Sequence, residues 1–281
     1  VTEVVVKIVR APEAIRTLLA VCPSVAVATK IISSIIAAGI IPAALEMIDQ
    51  TILRVVEESY HLGLPTDAGA VLLIEMDGPE AGLDRLTAKV EQLCMDGGVV
   101  RVEVASDAAT RAKLWTARKK AVGALGRLAP SHATQDGVVP RTKLPEILEK
   151  IEAIAAKHNL RIANVFHAGD GNLHPVVLFD ERDKDEVKRV LAAGGDILRA
   201  CVDAGGTLTG EHGIGLEKQE FMGMVFTPED LDLQKRIRDV FNPNGLLNPG
   251  KLFPVHNTCC PHMDRPDNAE LQLLARGKGS V

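Results

Sequence analysis

The chain has no excess charge of either sign, no long apolar run and no recognisable cysteine pattern, and each absence excludes a class of function. Lys and Arg number 32 against 37 Asp and Glu, a net charge of −5, and no basic cluster stands out, so nucleic acid is not an expected partner. The longest apolar stretches, such as residues 71–74 and 31–41, are too short or too interrupted to cross a bilayer, and no signal-peptide pattern opens the chain. Five cysteines, Cys22, Cys94, Cys201, Cys259 and Cys260, follow no disulfide or metal spacing, which points to reduced thiols in a cytoplasmic protein. The adjacent Cys259 and Cys260, with His256 and His262 nearby, lack a finger pattern and fall in residues 255–281, whose Pro, Asn, Gly and charge without period predict a flexible tail. What remains is globular: 281 residues, 46% hydrophobic and 25% charged, can bury the core of one large domain or two small ones.

Apolar periodicity predicts a strand over 16–21, a helix over 25–38, a strand over 42–48, a helix near 53–60, a strand over 71–76, a helix over 82–95 and a strand over 99–104. A long helix over 108–128 follows. The second half repeats the theme with a strand over 137–139, a helix over 143–158, strands over 161–166 and 175–179, a helix over 183–204 and a short strand near Thr207. A helix over 228–241 then leads into an Asn-Pro-Asn-Gly turn. The expected fold class is α+β: a duplicated ferredoxin-like βαβ-βαβ sandwich, antiparallel sheets with helices on one face, and a C-terminal helical segment. The first subdomain is expected at 16–107, and the long helix, second subdomain and final helix at 108–254.

The chemistry concentrates in that second half. His167-Ala-Gly-Asp-Gly-Asn-Leu-His174 is followed some way on by Gly210-Glu211-His212-Gly213. Two neutral imidazoles and a carboxylate suit a divalent transition ion that keeps open positions for substrate, with one imidazole to spare. Residues 168–172 read as the turn of a hairpin, so both histidines of the first motif sit at adjoining strand ends. Asp170 and Asn172 are then placed to hold the hairpin and orient the imidazoles. One histidine at a hairpin end is usually just exposed or hydrogen-bonded. Two His, an Asp, an Asn and two Gly within eight residues pack poorly and lose much backbone entropy, which favours a function for the set.

These two motifs, with the ending Phe241-Asn-Pro-Asn-Gly-Leu-Leu-Asn-Pro-Gly-Lys251, resemble the C-terminal domain of FAD-linked oxidases of the vanillyl-alcohol-oxidase superfamily. The nearest likeness is to the FAD-binding subunit of glycolate oxidase, with D-lactate and D-2-hydroxyglutarate dehydrogenases as relatives. Stretches 114–120, 135–141 and 164–167 support it, and the resemblance runs to about Pro254. It implies oxidation of a small 2-hydroxy acid, glycolate or D-lactate, with FAD as hydride acceptor and a divalent metal, zinc, manganese or iron. By the same resemblance, His167, His174 and Glu211 match the metal ligands and His212 the general base, the alternative for His212 being a fourth ligand. Arg118 matches the arginine that pairs with the substrate carboxylate, the alternative being a solvated helix charge beside Lys113, Lys119 and Lys120. Asn248 matches a position near the flavin ring, or is a turn residue before Pro249.

The family also carries an FAD-binding domain ahead of this region. Residues 1–15 then resemble the strand that follows that domain, and with no initiator Met the chain reads as a fragment, inactive without its FAD-binding domain. Other oxidase subunits, an iron-sulfur subunit included, are implied partners, and through them a peripheral place at the inner membrane. Val176 and Thr134 stand where dicarboxylate-specific relatives carry asparagine and lysine, which favours a monocarboxylate. Ser131-His-Ala133 departs from the aromatic pair usual in glycolate oxidase subunits. A non-catalytic assembly or binding module is the competing reading. A metal-dependent hydrolase would use the same ligands, but no nucleophile or phosphate-binding loop accompanies them.

Overall fold

The computed structural model describes residues 2–254 of the chain. The tail expected at 255–281, with Cys259, Cys260, His256 and His262, lies outside the described residues.

The first half runs β1 (Ala14–Cys22), α1 (Val25–Ala37), β2 (Ala44–Asp49), α2 (Gln50–Tyr60), β3 (Ala70–Gly78), α3 (Glu80–Asp96) and β4 (Arg101–Val104). Helix α4 (Ala108–Ala124) connects it to β5 (Ser131–Thr134), β6 (Gly137–Val138), α5 (Leu144–Lys157), β7 (Arg161–His167), β8 (Asn172–Leu173), β9 (Pro175–Phe179), α6 (Lys184–Asp203) and α7 (Pro228–Phe241). Local chemistry sets several starts: the side chains of Ser24, Asp49, Asp107, Asp183 and Thr227 each accept a backbone N–H in the first turn of the helix that follows.

All strands pair antiparallel in one nine-stranded sheet. The first half has the order β4-β1-β3-β2, the ferredoxin-like order, with α2 inserted between β2 and β3. The second half repeats it. β8 and β9 keep one register against β7 (His167 opposite Asn172, Asn164 opposite Pro175), so they are a single strand interrupted at His174. β6 and β5 likewise keep one register against that strand and are interrupted at Gln135 and Asp136. The fourth strand of the repeat shrinks to one bridge, Val138 with Thr207. The two halves meet edge to edge through β2 and β7.

Helices were expected on one face, and α1, α3, α5 and α6 do share a core there with Leu18, Ala20, Leu72 and Ile74. α2 and α4 cover the other face, packing on Leu19, Val21, Val71 and Val165. The reason lies in β1 and β3: they are apolar at successive positions, so both faces need cover. The separate strand expected within residues 1–15 does not form: residues 2–13 hold no strand among the described residues, Val4, Val5, Ile8 and Val9 stay exposed, and the strand that begins at Ala14 is the one expected over 16–21. Strand β5 was not anticipated because Ser-His-Ala-Thr carries little apolar alternation. Among the described residues no helix is long and apolar enough to cross a membrane.

Candidate functional site

The site begins at the seam between the two halves. Register places Glu46 of β2 directly opposite His167 of β7, and side chains facing each other across such a pair lie in contact. Glu46 Oε1 sits 2.7 Å from His167 Nδ1. Its other oxygen, Oε2, accepts from Arg118 Nε of α4 at 2.7 Å. Glu46 is buried, flanked in sequence by Leu45 and Met47, whose side chains alternate to the opposite face.

After His167 the chain must reverse at once. Gly171, at φ +76°, makes the turn, and a Cβ there would stand 2.2 Å from Val139 O, so no other residue fits without a shift. Pairing resumes at Asn172, and the two-residue strand period returns His174 to the face of His167. His174 Nε2 lies 2.9 Å from Glu211 Oε1 and His167 Nε2 3.5 Å from the same oxygen. The two rings stand edge to face with centroids 5.5 Å apart. On its far side His174 Nδ1 meets Gln135 O at 3.3 Å, where the β5–β6 strand is interrupted. Burial, reinforced by His212, lowers the pKa of His174, while contacts with Gln135 O and Glu211 oppose that shift. Its imidazole is thereby held neutral near pH 7, the form that offers a lone pair.

Glu211 and His212 arrive on the loop after α6, and Asp136 shapes that loop. Asp136 is 0% exposed; its Oδ2 accepts from Thr209 Oγ1 (2.6 Å), Gly210 N, His212 N and Lys218 Nζ (each 3.0 Å), and Oδ1 accepts from Glu211 N at 3.2 Å. Three successive N–H groups turned toward one carboxylate bend the segment, and Gly213 at φ +78° continues the turn. Adjacent side chains can then face one site: Glu211 reaches both histidines, and His212 stacks on His174 at 5.0 Å with rings 10° from parallel. Burial would raise the pKa of Asp136, but the bonds from Thr209, Lys218 and His212 N hold the carboxyl well below the usual range.

Asp136, His174, Glu211 and His212 each bring a ligand atom within 4.8 Å of the others. Asp136 is a poor ligand all the same, because five donors already occupy its oxygens. His174, Glu211 and His212 of that group keep capacity to spare, Glu211 being 52% exposed, and His167 Nε2, outside the group, lies 3.5 Å from Glu211 Oε1. Two imidazoles and a carboxylate fit a divalent transition ion.

Of the residues singled out in the sequence, His167, His174, Glu211 and His212 come together, and Arg118 joins them through Glu46. Asn172 packs its side-chain amide against Gly210, where a Cβ would meet it at 2.5 Å. Asp170 is exposed and contributes its backbone N–H to His167 O, so the histidines are oriented by Glu46 and Gln135 O instead. Asn248 is exposed in a left-handed turn, φ +46°, with no hydrogen bond to this cluster. Glu46 and Asp136 were missed. A carboxylate inside the apolar strand Ala-Leu-Glu-Met-Ile was a usable signal for Glu46, since a buried charge needs partners; Asp136 had none beyond its place in a recognised stretch.

The chain is 43% identical over 258 residues to the glycolate oxidase subunit GlcD of Escherichia coli (strain K12), covering 92% of this chain and 52% of that protein. It is 44% identical over 253 residues to the glycolate oxidase subunit GlcD of Bacillus subtilis (strain 168), covering 90% and 54%. A probable mitochondrial D-lactate dehydrogenase of Danio rerio is 29% identical over 92% of this chain and 52% of its own length. The chain thus spans about half the length of these relatives. Among solved structures, p-cresol methylhydroxylase with substrate bound superposes with a TM-score of 0.65 at 14% identity, over 85% of this chain and 53% of that one, a likeness of fold. The model of the FAD linked oxidases, C-terminal domain, matches residues 11–252, and the chain belongs to that family.

Proposed function

We propose that this chain is the substrate- and metal-side part of an FAD-dependent 2-hydroxy-acid dehydrogenase, acting on glycolate or D-lactate together with an FAD-binding domain. The observation that carries the reading is the convergence of His167 Nε2 and His174 Nε2 on one oxygen of Glu211. Those three residues would hold the divalent ion, zinc, manganese or iron. When bound, such an ion polarises a substrate hydroxyl and lowers its pKa. A ring nitrogen of His212 takes the hydroxyl proton; a bound flavin would supply the acceptor for the hydride of the same carbon, so that loss of both would give the 2-oxo acid. The terminal nitrogens of Arg118, which Glu46 does not use, would take the substrate carboxylate, for which a planar guanidinium is suited. Asn248 is assigned to the flavin side on resemblance.

Substrate length follows from two positions. Thr134 and Val176 are cross-strand partners, and neither offers a cation or amide for a second carboxylate. A short monocarboxylate fits. Among the described residues Cys22, Cys94 and Cys201 are free and buried, and burial pushes each thiol up to about 12, which keeps them out of the chemistry.

The test uses the protein that joins this chain to its FAD-binding domain. Glu211→Ala is expected to lose bound metal and turnover together. His212→Ala should keep its metal while turnover falls by roughly two to four orders of magnitude, the contribution of a general base. If His212→Ala strips the metal as thoroughly as Glu211→Ala, then His212 is a ligand and the base lies elsewhere.

A further inference from the structure

We infer that Glu46 is a positioning residue that fixes the tautomer of His167 and the pose of Arg118 at once, so that the metal-side and substrate-side groups are set by a single carboxylate. The inference rests on the metal reading proposed above. Its basis is a three-residue chain: Arg118 Nε donates to Glu46 Oε2 at 2.7 Å, and Glu46 Oε1 lies 2.7 Å from His167 Nδ1. The side chain of Glu46 is 8% exposed and that of Arg118 14%, so water competes little for these bonds.

The donors and acceptors leave one arrangement. A guanidinium can only donate, and a carboxylate can only accept. Glu46 Oε1 therefore takes a proton from His167 Nδ1, so that the nitrogen free to offer a lone pair to an ion lying between His167 and Glu211 is Nε2. A metal ligand needs that lone pair. The same carboxylate uses Nε of Arg118 and leaves its two terminal nitrogens for another acceptor.

A sharp consequence follows for the mildest substitution. In Glu46→Gln the amide oxygen must turn toward Arg118, because the amide nitrogen there would set donor against donor. The amide N–H₂ then faces His167 Nδ1, which becomes an acceptor. Its proton moves to Nε2 and blocks the metal-facing nitrogen. Glu46→Ala imposes no tautomer. The isosteric Gln variant should thus bind metal more weakly than the truncated Ala variant, the reverse of what a packing role gives.

The experiment titrates zinc into the metal-stripped protein, joined to its FAD-binding domain, by calorimetry, and reads the imidazole nitrogen-15 shifts of His167 before zinc is added. Wild type is expected to show Nδ1–H and Glu46→Gln to show Nε2–H, with zinc affinity about 10–100-fold below wild type and below Glu46→Ala. Arg118→Met combined with Glu46→Gln frees the amide to rotate and should restore affinity toward that of Arg118→Met alone; this pair keeps the test decisive if Glu46→Ala fails to fold. An unchanged tautomer in Glu46→Gln, or zinc affinity in the order wild type, Gln, Ala, overturns the inference. If the tautomer switches but wild type itself binds no zinc, the metal reading fails and the role of Glu46 in setting His167 stands.

Discussion

Two buried carboxylates show how much their donors decide. Asp136 takes bonds from the Thr209 hydroxyl, the Lys218 ammonium and His212 N, and sits below the ordinary carboxylate range against the effect of burial. Asp49 caps α2 through Ile52 N and holds Asn164 across the seam, but no cation reaches it; burial outweighs those N–H bonds and raises its pKa to about 6. Asp136→Ala strands a buried ammonium together with the N–H groups of Gly210, Glu211 and His212 and should cost about 3–5 kcal/mol, of which the double variant with Lys218→Met recovers the ammonium's share alone. Urea unfolding reads both; equal losses in the single and double variants would refute the pairing argument. For Asp49 the folded state binds its proton more tightly than the unfolded chain, so the stability it contributes is full below about pH 4 and is lost as pH rises through about 6. Asp49→Asn lacks that dependence. Its deficit relative to wild type should therefore shrink between pH 4.5 and 7, and a constant deficit would contradict the raised pKa.

At the scale of elements, the β7–β8 hairpin and the loop after α6 use glycine for different reasons. Gly171 and Gly213 share a left-handed backbone, φ +76° and +78°. Only Gly171 has a neighbour in the way, Val139 O at 2.2 Å from a built Cβ, whereas nothing lies within 4 Å at Gly213. Gly213→Ala should cost the conformational penalty alone, about 1–2 kcal/mol. Gly171→Ala must also displace β6 and with it the Asp136 anchor, so its melting temperature should fall further and its zinc affinity with it. Equal melting temperatures for the two variants would mean that the hairpin has slack that the close approach denies.

Among the described residues two ferredoxin-like repeats are fused along β2 and β7, and the candidate site straddles that fusion. Glu46 comes from the first repeat, His167 and His174 from the second, and Arg118 from the helix between them. Met47 and Phe166 pair across the seam and are fully buried in one continuous core that includes both repeats. Phe166→Ala is expected to cost about 3–5 kcal/mol. Because the core is shared, hydrogen exchange should quicken by the same free energy in β1 and β3 as in β9. Unaltered protection in β1 and β3 would show that the repeats unfold independently.

Periodicity alone carried most helices and strands, because a sheet core demands apolar runs and a helix an apolar stripe, and both demands are local. Helix α7 and strand β9 were legible to the residue, and the glycine-punctuated His and Glu motifs marked the candidate site. Short β5 was not legible, since its pairing with β9 rather than its own side chains makes it a strand. Nor was the cover on the second sheet face, which depends on where α2 and α4 return. Glu46 lies 121 positions from His167 and 72 from Arg118, and Asp136 lies 76 from His212. Contacts over such separations leave no period in the chain. They exist because antiparallel register sets Glu46 opposite His167, and because a buried carboxylate gathers whatever donors the fold brings to it; the tertiary structure alone decides which donors those are.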